Sequence, residues 1–294
     1  MTVISRKSAG YILCLVAGLL VSAPDAAFST DASCPPDLHL AKLVAGSDFI
    51  LTGRMQIDRQ QFIAEAGKPS PNWIEIPAKI DHLMKGENLT EPLIRFDPKH
   101  RPYKPSNDAV LGLSGLPTIM FLTQVDEGPR GLYFAGYTPD ALRPATEQSI
   151  GEIKAEILRQ VDILRLWRAD TTLPHFEEVR ALIAHLGHVS GAEQQRVFDQ
   201  LEALGYPAVP AIIAQMDNRQ PLLTHSISLV NHAKNAFEGM RHYGPDQVVD
   251  ALDAILNQIT GESFGSIQNG GSDREREASV AGWRVYAATL RCQK

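Results

Sequence analysis

The hydrophobic pattern of this 294-residue chain changes period once, near Pro144, and that change divides what the chain can fold into. Before it, short strand-like runs follow one another, and one of them alternates apolar and polar residues, the signature of a half-buried strand. Trp73-Ile74-Glu75-Ile76-Pro77-Ala78-Lys79-Ile80-Asp81 is the clearest run. Further strands are predicted over 48–55, 93–96, 117–123 and 131–135, with Asp126-Glu127-Gly128-Pro129 as turn chemistry between the last two. Pro77 lacks a ladder donor, so an edge or a bulge is expected there. A short helix over 38–45 is expected to precede the strands, and 98–105 reads as a Pro-rich loop. After Pro144, Ile150, Ile153, Ile157, Val161, Leu164 and Trp167 step by three and four, which predicts one long amphipathic helix. Helices follow after Pro174, after the capping-box pattern Ser190-Gly191-Ala192-Glu193, after Pro207 or Pro210, after Pro245, and over about 273–290. Gly205 falls where a left-handed helix cap would sit. After a break near 217–221, the segment through Met240 declares neither period.

The first thirty residues carry an address. Arg6 and Lys7 precede the apolar run 11–21, and Ser22, Ala23, Ala26 and Ala27 follow it. Basic start, short apolar core and small-residue exit read as a secretory signal peptide over 1–30. The run is shorter than the about 20 residues a membrane span needs, the alternative being an uncleaved anchor. A periplasmic or secreted protein with no stable transmembrane segment in its mature chain is expected. A cut near Ala26 removes Arg6, Lys7 and Asp25, leaving 26 basic against 33 acidic residues, or −7. That mild acidity is spread out, with no basic–aromatic stripe, so nucleic acid is not an expected partner. Hydrophobic content of 44% and charged content of 21% are those of a globular chain. Cys14 would leave with the leader, so Cys34 and Cys292 are the disulfide candidates. Free thiols or a bond to a partner remain alternatives.

Two stretches resemble known families. Residues 195–205, ending in Leu204-Gly205, followed by Ala208-Val209-Pro210-Ala211-Ile212-Ile213, resemble a HEAT-type helical repeat over about 25 residues. That resemblance implies a protein-binding surface rather than chemistry. Cys34-Pro35-Pro36, then 45–53, then Ile80 through Met84-Lys85-Gly86, then Ile119-Met120-Phe121-Leu122, resemble a netrin-type OB barrel, of which the tissue inhibitors of metalloproteinases are the familiar case. The resemblance implies a barrel. The family's further cysteines are absent, so metalloprotease inhibition is not carried over.

Chemistry-bearing residues are sparse. His225, His232, Glu238 and His242 are the metal candidates: on one continuous helix His225 would share a face with His232, and Glu238 with His242. No His-Glu-x-x-His, Cys-x-x-Cys, nucleophile elbow, P-loop or Gly-x-Gly-x-x-Gly occurs. Asp250 and Asp253 are read as helix-surface carboxylates. Trp283 and Tyr286, three apart, are read as core. Lys99, Tyr103, Phe264 and Asn269 are the binding-loop candidates.

The expected fold class is α+β: a small OB/netrin-like barrel over 34–140, then an all-α HEAT-like domain over 146–294. The expected function is non-enzymatic binding of another protein in the cell envelope, in its sharpest form inhibition or immunity against an envelope enzyme or toxin, with no cofactor. The alternatives are a periplasmic hydrolase or metal-dependent enzyme using the late His/Glu cluster, and a structural envelope scaffold.

Overall fold

A closed five-stranded barrel forms the N-terminal half. The structure is a computed structural model that describes residues 34–99, 104–126, 130–136, 138–231 and 239–292. The leader expected over 1–30, and Tyr103, His232 and Glu238, lie outside those residues. Strand β1 (Phe49–Met55) pairs on one edge with β2 (Ile74–Lys85) and on the other with β4 (Thr118–Val125), both antiparallel. β2 continues to β3 (Leu93–Phe96), and β3 meets β5 (Gly131–Phe134) in parallel through Ile94 and Leu132. β5 returns to β4, so the order 1-2-3-5-4 closes on β1. A three-residue strand, β6 (Leu142–Pro144), extends the sheet along β4. Pro77 sits where β2 changes partner, after residues 74–77 pair with β3 and before 78–85 pair with β1.

Alternation decides which side chains enter the barrel. Leu51, Met55, Ile76, Ile94, Met120 and Leu122 are buried in its core. Two helices inside this half carried no periodic signal. In α2 (Arg59–Ala66), capped by Asp58, a single residue, Phe62, is buried; its ring stacks on Phe96 at 5.8 Å. Burying one such ring contributes roughly 1.5–3 kcal/mol, which docks an otherwise polar helix. Helix α3 (Asn107–Gly112), capped by Ser106, buries Val110 alone.

Outside the barrel, α1 (Leu38–Ala45) and the 20-residue α4 (Glu147–Leu166) pack against Ile50, Ile119 and Phe121 through Leu40, Leu43, Val44 and Ile153. Gln160 Nε2 donates to the Ala41 carbonyl at 2.8 Å and joins the two helices. α5 (Phe176–Leu186), α6 (Gly191–Ala203), α7 (Val209–Ile213), α8 (Val248–Thr260) and α9 (Asp273–Leu290) share one further core around Phe198, Leu252, Ile255 and Trp283. Residues 33–294 cluster as one compact unit. Cys34 and Cys292 are disulfide-bonded with Cα atoms 5.6 Å apart, tying the segment before α1 to the end of α9. Among the described residues no helix is long and apolar enough to cross a membrane.

Four expectations need correcting. The C-terminal half is not all helix: β7 (Ile227–Val230) and β8 (Met240–Tyr243) form an antiparallel ribbon. Ile227 and Leu229 are buried on alternate positions, a period-two signal too short to stand out. The capping box at Ser190 does not close. Gly191 takes φ 55°, and the Ser190 carbonyl rather than its hydroxyl receives the Glu193 N–H. Gly205 has positive φ (64°) but ψ −159°, so it is a turn residue leading into a 3-10 turn at Tyr206–Ala208, not a left-handed cap. Asp250 and Asp253 are fully buried, because both face α9 rather than solvent.

Candidate functional site

A cleft of about 440 Å³ opens where the barrel's outer face meets the 263–266 loop and the first turns of α9. Ile94 and Phe96 turn into the barrel, so Arg95 between them turns out. The parallel pairing of β3 with β5 brings Arg95 beside Tyr133, and the register of β2 brings Trp73 to the same place. Trp73 and Tyr133 meet edge to face at 5.5 Å. The Arg95 guanidinium lies 5.8 Å from each ring centroid, within cation–π range of both. Gly131 makes this possible, since a Cβ there would stand 2.5 Å from Arg95 Cδ. Trp73 is 50% exposed, a large apolar surface held open to solvent.

The other charges of the cleft neutralise one another. Lys104 Nζ pairs with Asp97 Oδ2 at 3.0 Å and lies over the Phe96 ring. Burial raises the Asp97 carboxyl, but hydrogen bonds from Lys99 N and Lys104 outweigh it and hold the group below the usual carboxylate range. Arg274 ties α9 to the barrel: Nη1 donates to Asp48 Oδ1 at 2.9 Å, Nε to Asp126 Oδ2 at 2.6 Å and Nη2 to the Gln124 carbonyl at 2.8 Å. Burial likewise raises Asp126, and bonds from Arg274, Gln124 and Ser272 more than offset that. Glu275 closes the α9 capping box with Ser272 and accepts from Asp126 N at 2.9 Å. Asp48 also accepts from Gln124 N at 2.7 Å. Arg95 has no such partner. Glu75 faces it in the ladder, but among the described residues no carboxylate lies within ion-pair distance of it.

The residues singled out from the sequence are placed differently. His225 Nδ1 stands 3.1 Å from Asp246 Oδ1, and His242, on β8, shares a hydrogen bond of 2.9 Å with Ser228 Oγ. His225 precedes β7 and His242 lies on β8, so these two do not share one continuous helix. No group of three metal-ligating side chains occurs among the described residues. Lys99 is exposed and makes a local turn with Asp97, outside the cleft. Asn269 is exposed, and its Oδ1 accepts from Gly244 N at 2.8 Å, which straps its loop to the ribbon. Phe264 lines the cleft but is only 3% exposed, with its ring 5.0 Å from Trp283 and 5.8 Å from Tyr286. It is therefore wall rather than reaching loop. Trp73, Arg95, Tyr133 and Arg274 were not singled out from the sequence. The one local signal was an arginine alternating with buried Ile94 and Phe96 in a short strand.

No family model matches the chain, and no curated protein or solved structure matches it.

Proposed function

We propose that the protein is an exported, non-enzymatic binding protein of the cell envelope that holds another protein at this cleft, as an inhibitor or immunity protein holds its target. The observation that carries the reading is the grouping of Trp73, Tyr133 and Arg95 around a cavity of about 440 Å³. Trp, Tyr and Arg are the residue types that most often dominate the energetics of protein interfaces, especially where they ring a pocket. The cavity also falls in the range of about 300–1,000 Å³ that receives a compact ligand group. The basic start and apolar run within 1–30 support export. The strand order 1-2-3-5-4-1 supports the netrin/OB resemblance of the first half, whose modules commonly present one face to a partner. The Leu204-Gly205 turn between α6 and α7 supports the HEAT resemblance in the second.

The test is affinity capture from the source organism's own envelope fraction by wild type and by Trp73→Ala. One stoichiometric protein retained by wild type and lost on the variant is the expected outcome. Equal retention by both, or none by wild type, would refute the reading.

A further inference from the structure

We infer that Arg95 is the anchor for a carboxylate, and that the partner segment taken by the cleft is an acidic side chain flanked by apolar residues. This rests on the cleft being the partner-binding site. Three cations line the cleft, and two are matched in place: Lys104 by Asp97, and Arg274 by Asp48 and Asp126. Arg95 alone is held by neutral groups, its Nη1 donating to the Arg130 carbonyl at 2.9 Å and to Tyr133 Oη at 3.1 Å. Its Nη2 makes no hydrogen bond to the described residues, and its buried Nε has none either. A guanidinium packed beside two rings and tied through Nη1 to Arg130 and Tyr133 is already oriented, so little rotamer freedom remains to be lost when a carboxylate meets it.

The surroundings define the rest of the ligand. Trp73, Phe96, Phe134 and Phe264 give the cleft an aromatic wall around that single unmatched charge. An apolar residue on either side of the acid fits the wall; a second acid would meet Asp97 and Asp48 without a free cation. The whole chain is acidic, at −6, so the attraction is local and short-ranged rather than a steering field.

Immobilised protein is exposed to two pools of blocked heptapeptides, one with a central Glu between randomised apolar residues and one with Gln in its place. N-acetyl-phenylalaninate is added as a competitor to represent a chain-terminal carboxylate. Wild type is expected to retain the Glu pool at least about 10-fold over the Gln pool, the ratio for one charge-assisted hydrogen bond. Arg95→Gln is expected to erase the preference and Arg95→Lys to keep part of it, with circular dichroism confirming that both variants fold. Equal retention of the two pools by wild type overturns the proposal, as does a preference that survives in Arg95→Gln. Displacement by the competitor at lower concentration than by the Glu pool overturns the assignment to an internal side chain. Envelope capture keeps the two failures apart. A partner lost on Trp73→Ala but kept on Arg95→Gln sinks the carboxylate and leaves the cleft; a partner indifferent to both sinks the cleft itself.

Discussion

The barrel and the helical half treat charge in opposite ways. Around the barrel, acids and bases meet at the rim, partly buried but still in touch with solvent: Asp97 with Lys104, Asp48 and Asp126 with Arg274. Between α8 and α9, carboxylates are taken out of water altogether. Asp250 accepts both arms of Arg276, at 2.8 and 2.9 Å, and Asp253 accepts from Ser279 Oγ at 2.7 Å and Trp283 Nε1 at 2.5 Å. A rim charge can be exchanged at small cost, so that region is free to carry recognition. A buried charge is committed to the architecture, because removing one member strands the other.

The sharpest way to break this comparison is to remove one acid from each side. Asp250→Ala leaves the buried Arg276 with only its longer contacts to Asp246 at 3.9 Å and Asp273 at 3.7 Å, and strips the acceptor for the Asp246 and Gln247 N–H groups at the start of α8. A loss of about 3–5 kcal/mol in urea unfolding is expected. Asp97→Ala, at the rim where the side chain is 21% exposed, is expected to cost about 1–2 kcal/mol. Similar losses at the two sites would erase the distinction.

Asp253 sharpens it through pH. Burial raises its carboxyl to about 6, against the lowering effect of the Trp283 and Ser279 bonds and with a further push from Asp250. Between about pH 4 and 6 the folded protein therefore holds this proton more tightly than the unfolded chain does. The residue's contribution to stability falls as pH rises through that window and stays low above it. Asp253→Asn removes the dependence. The stability difference between wild type and variant is expected to shift by on the order of 2–3 kcal/mol between pH 4 and 7, with wild type favoured at the acid end. Melting curves of the two proteins that run parallel across that range would contradict the assignment.

A modest effect is also expected at the join. Arg274→Ala removes three hydrogen bonds from a side chain 37% exposed, so about 1–2 kcal/mol is expected after allowing for solvent screening. Hydrogen exchange should quicken at 123–126 and 263–275 while the interiors of α5 and α6 stay protected. Uniform quickening would mean that Arg274 supports the whole fold rather than this contact.

Legibility followed the range of the interactions. Of the barrel strands, β2 was visible because Ile74, Ile76 and Ala78 alternate with polar residues and β4 because Ile119 to Leu122 is a short apolar run, and α4 because its apolar stripe runs over five turns. β6 escaped because three residues adopt an extended form only when β4 is beside them. The ribbon of 227–230 and 240–243 escaped because β7 buries only Ile227 and Leu229 and β8 buries no residue, too little for a period to show. Asp250 and Asp253 looked like surface acids because their partners, Arg276 and Trp283, lie about thirty residues on in another helix. The cleft was the least legible feature. Trp73, Arg95, Tyr133 and Arg274 come from four separate segments and meet only after the barrel closes.

The bond between Cys34 and Cys292 gives the molecule an unusual path for mechanical load. No other cysteine lies between them, so within that span there is no wrong pairing to undo, only an oxidation to complete. Once it is made, tension on the chain before residue 34 and after residue 292 runs through two sulfur atoms and bypasses barrel and helices alike. Pulled from its flanks, the oxidised protein would transmit force without unfolding.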